Sequence, residues 1–261
     1  MSGLRVDRSR HPASRDTSAS LRVAMWSGPR NISTAMMRSF ENRDDCVVSD
    51  EPLYTAFLKQ TGLDHPGSEE IIADGECDWR KVTAKLTGDI PDNKTVWYQK
   101  HMSHHLLEGM DHQWMYALSN VFLIRHPIAV VASYIKSRAD VAPNDIGLLQ
   151  QAALYDELIR ETGETPLVID SSEFLGNPRG FLIALCNHVG IAFQEAMLCW
   201  PSGPRSSDGI WAKHWYASVW QSTGFESRPE QRAELSAEHQ KIADACLPAY
   251  EHLYTKRLKL A

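Results

Sequence analysis

The sequence predicts a three-layer α/β fold, with a central parallel sheet of about five strands and helices on both faces. Five short apolar runs recur along the chain, and helix-length segments separate most of them. Strands that are apolar along nearly their whole length are buried on both faces, and that requires helices above and below a parallel sheet. The first run also ends in Gly, Pro and polar residues that lead straight into a helical pattern, the signature of a βα unit.

The first run is "LRVAMWS" (21–27), followed by the turn and helix start "GPRNISTAM". "CVVSD" (46–50) predicts the second strand. The stretch 59–94, with Gly, Pro and many acidic residues, shows no clear strand and reads as an insertion or lid. "TVWYQK" (95–100), "NVFLIRH" (120–126) and "PLVIDSS" (166–172) supply three more strands. The segment 200–228 is rich in Gly, Ser and Trp, and its length predicts a functional loop. A helix is expected from about Pro229, a favourable first-turn residue, to about Tyr254. Residues 1–20 read as a loose polar tail, and residues 21–261 as one α/β domain.

Composition narrows the function. A net charge of −6 argues against broad nucleic-acid or anionic-membrane binding but leaves room for a local cationic pocket. No apolar run approaches the roughly 18 residues of a membrane span. The five cysteines are scattered, form no CxxC and suit a reducing compartment. The first 20 residues contain no apolar core of a secretory signal, so the expected location is the cytoplasm.

In doubly wound sheets, ligands bind beyond the carboxyl ends of the strands. The turn after the first strand is therefore a candidate anion cradle, because amides at a helix start face outward and the dipole there favours negative charge. Its bland alternative is an ordinary turn with Asn31 and Ser33 as helix caps. A nucleoside-triphosphate loop beginning at Gly28 would place Gly and Lys where Ser33 and Thr34 stand, and GxGxxG is absent too. Arg30, between strand end and helix start, suits an oxyanion contact. Arg125 ends an apolar strand, where a cation is costly unless an anion or partner awaits it. Ser133 alone is unremarkable. His101 and His105, four residues apart, would present two nitrogens to zinc if they shared a helix, but no HExxH or third ligand is evident. His101, near a strand's carboxyl end, also suits a general base.

Taken together, "SGPRNIST", "IRHPIAVVASYIKSR", "LVIDSSEFLGNPRGFLIALCNHVGI" and "DEPLY" resemble, in order and spacing, the signatures of the sulfotransferases, over about residues 21–225. The resemblance implies a P-loop-like fold and 3′-phosphoadenosine-5′-phosphosulfate as sulfuryl donor, with a small-molecule hydroxyl or amine acceptor and no metal. It implies that Arg30, Asn31, Ile32, Ser33 and Thr34 hold the 5′-phosphosulfate, and that Arg125 and Ser133 hold the 3′-phosphate. The base would be Glu51, matching the Glu-Pro of carbohydrate-type members, or His101, matching the histidine of cytosolic ones. The chain departs from the family in carrying Ile32 where many members have Gly, and Ala35 where cytosolic members have Trp. The cytosolic Arg-Lys-Gly signature is missing, with Arg205 and Lys213 its nearest substitutes. Two other functions stay open at this level. One is a P-loop-type kinase or nucleotide hydrolase, which would need a Mg²⁺-binding Asp such as Asp50 or Asp170. The other is a nucleotide-binding module without chemistry.

Overall fold

The computed structural model of the chain describes residues 20–136, 140–226 and 234–260. Five strands, β1 (Leu21–Ser27), β2 (Cys46–Asp50), β3 (Val96–Met102), β4 (Ser119–Ile124) and β5 (Leu167–Asp170), form one sheet in the order β2-β3-β1-β4-β5. Every pairing is parallel. The five strands expected from the apolar runs are all present, with ends moved by at most a few residues.

Helices cover both faces, and the period-two alternation of the strands explains how. Val23 and Met25 of β1 enter one core with Val121 and Leu123 of β4. That face is covered by α1 (Ser33–Glu41), α7 (Ser171–Gly176) and α8 (Pro178–Val189). Ala24 and Trp26 point the other way, into a core shared with α5 (Pro127–Tyr134), α6 (Leu148–Thr162) and α11 (Ala237–Thr255). The start expected near Pro229 falls outside the described residues. Within them α11 begins later, at Ala237, because the Ser236 side chain accepts from the His239 amide and caps the helix there.

The stretch 59–94 holds the end of α2 (Tyr54–Thr61) and all of α3 (Ser68–Asp74) and α4 (Trp79–Thr87), so the apparent insertion is largely helical. The segment after Trp200 carries two short helices, α9 (Ala212–Trp215) and α10 (Ala217–Gln221). Trp211 and Tyr216 pack with Tyr54, Phe57 and Ile71 in a separate aromatic core. This core lies over the carboxyl edge of β2 and β3, where Asp50 and Lys100 end their apolar runs. Among the described residues no helix is long and apolar enough to cross a membrane.

Candidate active site

β1 ends in Ser27, and Gly28 to Asn31 lead into α1. Ile32 is the N-cap of α1 and no side chain caps the helix, so the cap reading of Asn31 and Ser33 does not describe this turn. Asn31 turns inward: its Nδ2 donates to the Leu123 carbonyl at 3.0 Å, and its Oδ1 accepts from the Ile32 amide at 2.8 Å. It braces the loop against β4 and leaves the next amides of α1 for another acceptor. Ser33 is buried and Thr34 is half-buried.

Arg30 sits at φ 56°, a region that non-glycine residues avoid. Its Nε donates to the Ser133 hydroxyl at 3.0 Å, and Arg125 donates through Nη1 to the Arg30 carbonyl at 2.7 Å. Three residues spread over a hundred positions of sequence thus meet where β1 and β4 end. Burial and the Arg125 charge hold the Arg30 guanidinium below its ordinary pKa. Two guanidiniums brought together in a half-buried corner repel, and a bound anion offsets that repulsion.

A second cluster lies across the carboxyl edge. β2 and β1 are separated only by β3, so Glu51 stands about two strand spacings, roughly 10 Å, from the loop that follows β1. Glu51 also has a positive φ, 42°. Lys100, completely buried two residues before the end of β3, donates to Asp50 Oδ1 at 2.8 Å, Glu51 Oε1 at 2.5 Å and the Tyr216 hydroxyl at 2.7 Å. An ammonium has three N–H groups, and all three are used. The Tyr216 hydroxyl lies 2.8 Å from both Asp50 oxygens, and the Gly209 amide donates to Asp50 Oδ2 at 3.1 Å. Both Asp50 oxygens are therefore engaged. On Glu51 both contacts fall on Oε1, and among the described residues no hydrogen bond reaches Oε2. Burial and the neighbouring Asp50 raise the Glu51 carboxyl pKa, with Lys100 opposing them. Burial opposes the Lys100 charge, but Asp50 and Glu51 overcome it and hold the ammonium well above its ordinary pKa.

The other nominated residues lie elsewhere. His101 is 1% exposed, its ring stacked on Trp26 at 4.4 Å, and burial pushes its pKa down to about 3. It faces the core. His101 belongs to β3 and His105 to the single turn Ser103–His105, so they share no helix face of the kind zinc would need. Arg205 approaches Glu41 at 3.9 Å, at the far end of α1 from the loop. Lys213 pairs with Glu70 at 2.5 Å on the surface. Asp170 caps α7 through the Ser172 and Glu173 amides and accepts from the Tyr250 hydroxyl at 3.0 Å, and Asp50 is held by Lys100 and Tyr216. Both carboxylates that a magnesium site would call upon are committed to internal partners.

The sulfotransferase-domain family profile matches residues 21–257. The chain belongs to the sulfotransferase family. Its fold is shared with the sulfotransferase domain of the curacin biosynthetic pathway (15% identity, TM-score 0.51, covering 87% of this chain and 97% of that one). It is also shared with the sulfotransferase domain of the Synechococcus PCC 7002 olefin synthase (18% identity, TM-score 0.51, covering 89% and 96%). A sulfotransferase from Alicyclobacillus acidocaldarius aligns with TM-score 0.54 at 13% identity, over 91% and 95%. In sequence, the chain is 37% identical over 231 residues to the branched-chain-amino-acid aminotransferase-like protein 2 of Arabidopsis thaliana, and 36% identical over 233 residues to protein 1 of the same name. Those matches cover 88% of this chain but only 41% of the plant proteins' length.

Sequence reasoning marked Lys100 as a polar residue closing an apolar run and read Tyr216 chiefly as packing, but gave neither a partner. The signal for Lys100 was present in "TVWYQK": a cation closing a buried strand requires an anionic partner, as with Arg125. Tyr216 carried none, because one tyrosine in an aromatic-rich segment does not announce which carboxylate it meets.

Proposed function

We propose that this sulfotransferase moves the sulfuryl group of 3′-phosphoadenosine-5′-phosphosulfate to the hydroxyl or amine of a small acceptor. The observation that carries the proposal is the meeting of Arg30, Arg125 and Ser133 beside an uncapped helix start. Amides of α1 and the Ser33 and Thr34 hydroxyls cradle the 5′-phosphate. Arg125 and Ser133 take the 3′-phosphate. Glu51 Oε2 removes the acceptor proton, and the acceptor's lone pair forms the new bond to sulfur. The bond between sulfur and the bridging phosphate oxygen breaks, and adenosine 3′,5′-bisphosphate leaves with the electron pair. Arg30 stabilises the charge that grows on that oxygen. Glu51 is preferred to His101 because it alone has an unengaged oxygen at the sheet's carboxyl edge, whereas His101 is stacked within the core.

A thermal-unfolding series tests the donor. Adenosine 3′,5′-bisphosphate should raise the melting temperature in a concentration-dependent way, as any ligand of the native state does. A larger rise with ATP and Mg²⁺ than with the bisphosphate would assign the site to phosphoryl transfer instead. No rise with any nucleotide would remove the nucleotide altogether.

A further inference from the structure

We propose that Lys100, Asp50 and Tyr216 are positioning residues that orient Glu51 and balance its charge, Lys100 and Tyr216 supporting the ionised carboxylate and Asp50 opposing it, so that the segment carrying Tyr216 completes the site from outside the sheet. The inference rests on Glu51 as base and goes beyond it by assigning work to three residues that touch neither donor nor acceptor. Burying an ammonium and two carboxylates is expensive, and an apolar cluster of the same volume would often be as stable. The arrangement instead distributes the hydrogen bonds unequally. Asp50 accepts from Lys100, Tyr216 and the Gly209 amide, while Glu51 accepts from Lys100 through Oε1 only, with Tyr216 3.4 Å away.

Two carboxylates therefore share one ammonium, and the pairing leaves the proton-accepting capacity on Oε2 of Glu51. Glu51 lies at φ 42°, its own amide donating to the Lys100 carbonyl at 2.9 Å and its carbonyl accepting from the Tyr54 amide at 2.9 Å. Backbone strain of this sort persists only when its surroundings over-determine it. The charged and titratable groups facing Glu51 are Asp50 from β2, Lys100 from β3 and Tyr216 from the junction of α9 and α10.

The test uses the full chain and two isosteric variants, read as the pH dependence of kcat beside direct carboxyl titration of Glu51 by carbon-detected NMR. Asp50→Asn removes the like charge and should move the acidic limb to lower pH. Tyr216→Phe removes a hydroxyl that favours the ionised carboxylate and should move it to higher pH. KM for the donor should stay within about twofold in both, because neither residue lies in the nucleotide corner. Opposite movements are what positioning predicts; a limb fixed in both variants, or moved the same way, overturns the proposal. Should one variant fail to fold, the sign of the other still decides it. Glu51→Gln separates the underlying reading: if that variant keeps its turnover, Glu51 is not the base and the proposal falls with it. If turnover is lost while the carboxyl titration ignores Asp50→Asn and Tyr216→Phe, the positioning role alone is wrong.

Discussion

The Arg30 guanidinium reaches across the carboxyl edge of the sheet to the Ser133 hydroxyl, 3.0 Å away, two turns into the helix that follows β4. Arg125 fastens the same loop from below through the Arg30 carbonyl. The three form one corner. If Arg125 and Ser133 hold a 3′-phosphate, adenosine 3′,5′-bisphosphate should bind at least about tenfold more tightly than AMP, since a charge-assisted hydrogen bond contributes roughly 1.5–3 kcal/mol. Arg125→Ala should erase most of that difference, with a smaller loss for AMP, because the loop that Arg125 fastens faces the 5′-phosphate. Calorimetric titration checks it, and equal affinities for the two nucleotides in the unmodified protein would remove the 3′-phosphate from the site.

In the proposed mechanism Arg30 has a different task, to meet charge that exists only as the leaving oxygen departs. Arg30→Ala should lower kcat by roughly 10² to 10³, the usual cost of losing one oxyanion donor. Affinity for the bisphosphate product should fall much less, because its charge is already spread over several oxygens. Near-normal turnover with intact donor binding would reduce Arg30 to a turn residue.

The strands and the loop after β1 were legible because each is written in consecutive residues, whereas Arg125 and Ser133 were joined only by the family resemblance and their meeting with Arg30 was not foreseen. Apolar runs ended in polar residues, and a run of that kind fixes both a buried strand and the edge where chemistry gathers. What lay hidden came from contacts between distant segments. Nothing near Tyr216 shows that its hydroxyl meets Asp50, 166 residues earlier, at 2.8 Å. The histidines show the converse failure. The run "KHMSHHL" reads equally well as helix or strand end, and only β3's pairing with β1 places His101 beside Trp26 in the core.

That burial has a consequence for acid stability. His101 has a folded-state pKa pushed down to about 3, with burial the larger cause and the Lys100 charge the second. In the unfolded chain its pKa is about 6.5. Above that value the ring is neutral in both states and contributes no pH dependence. As pH falls through about 6.5 the unfolded chain binds the proton first, so stability drops by about 1.4 kcal/mol per pH unit until the folded-state pKa is reached. Urea unfolding from pH 7 to pH 5 should show this loss, and His101→Phe, which keeps a ring on Trp26, should flatten the slope by one proton's worth. An unchanged slope would mean that His101 protonates in the folded state.

The loop after β1 also depends on a residue with no side chain. A Cβ at Gly28 would overlap the Ile146 carbonyl oxygen, and one at Gly147, where φ is 77°, would lie 3.0 Å from the Gly28 Cα. The contact is backbone against backbone, so no rotamer can relieve it. Either the loop after β1 or the turn Pro143–Ile146 must move. Gly28→Ala should therefore cost about 1–3 kcal/mol of stability, as overpacking does. It should also weaken adenosine 3′,5′-bisphosphate binding, because the displaced loop is the one that presents Arg30 and the α1 amides. Gly62→Ala is the control: Gly62 has φ 66° with nothing within 4 Å of the added carbon, so that variant should lose a little stability to backbone strain and no nucleotide affinity. Chemical denaturation and calorimetry on both variants separate the two effects. Gly28→Ala with unaltered nucleotide affinity would show that the loop tolerates displacement and that its close seat against Ile146 serves packing alone.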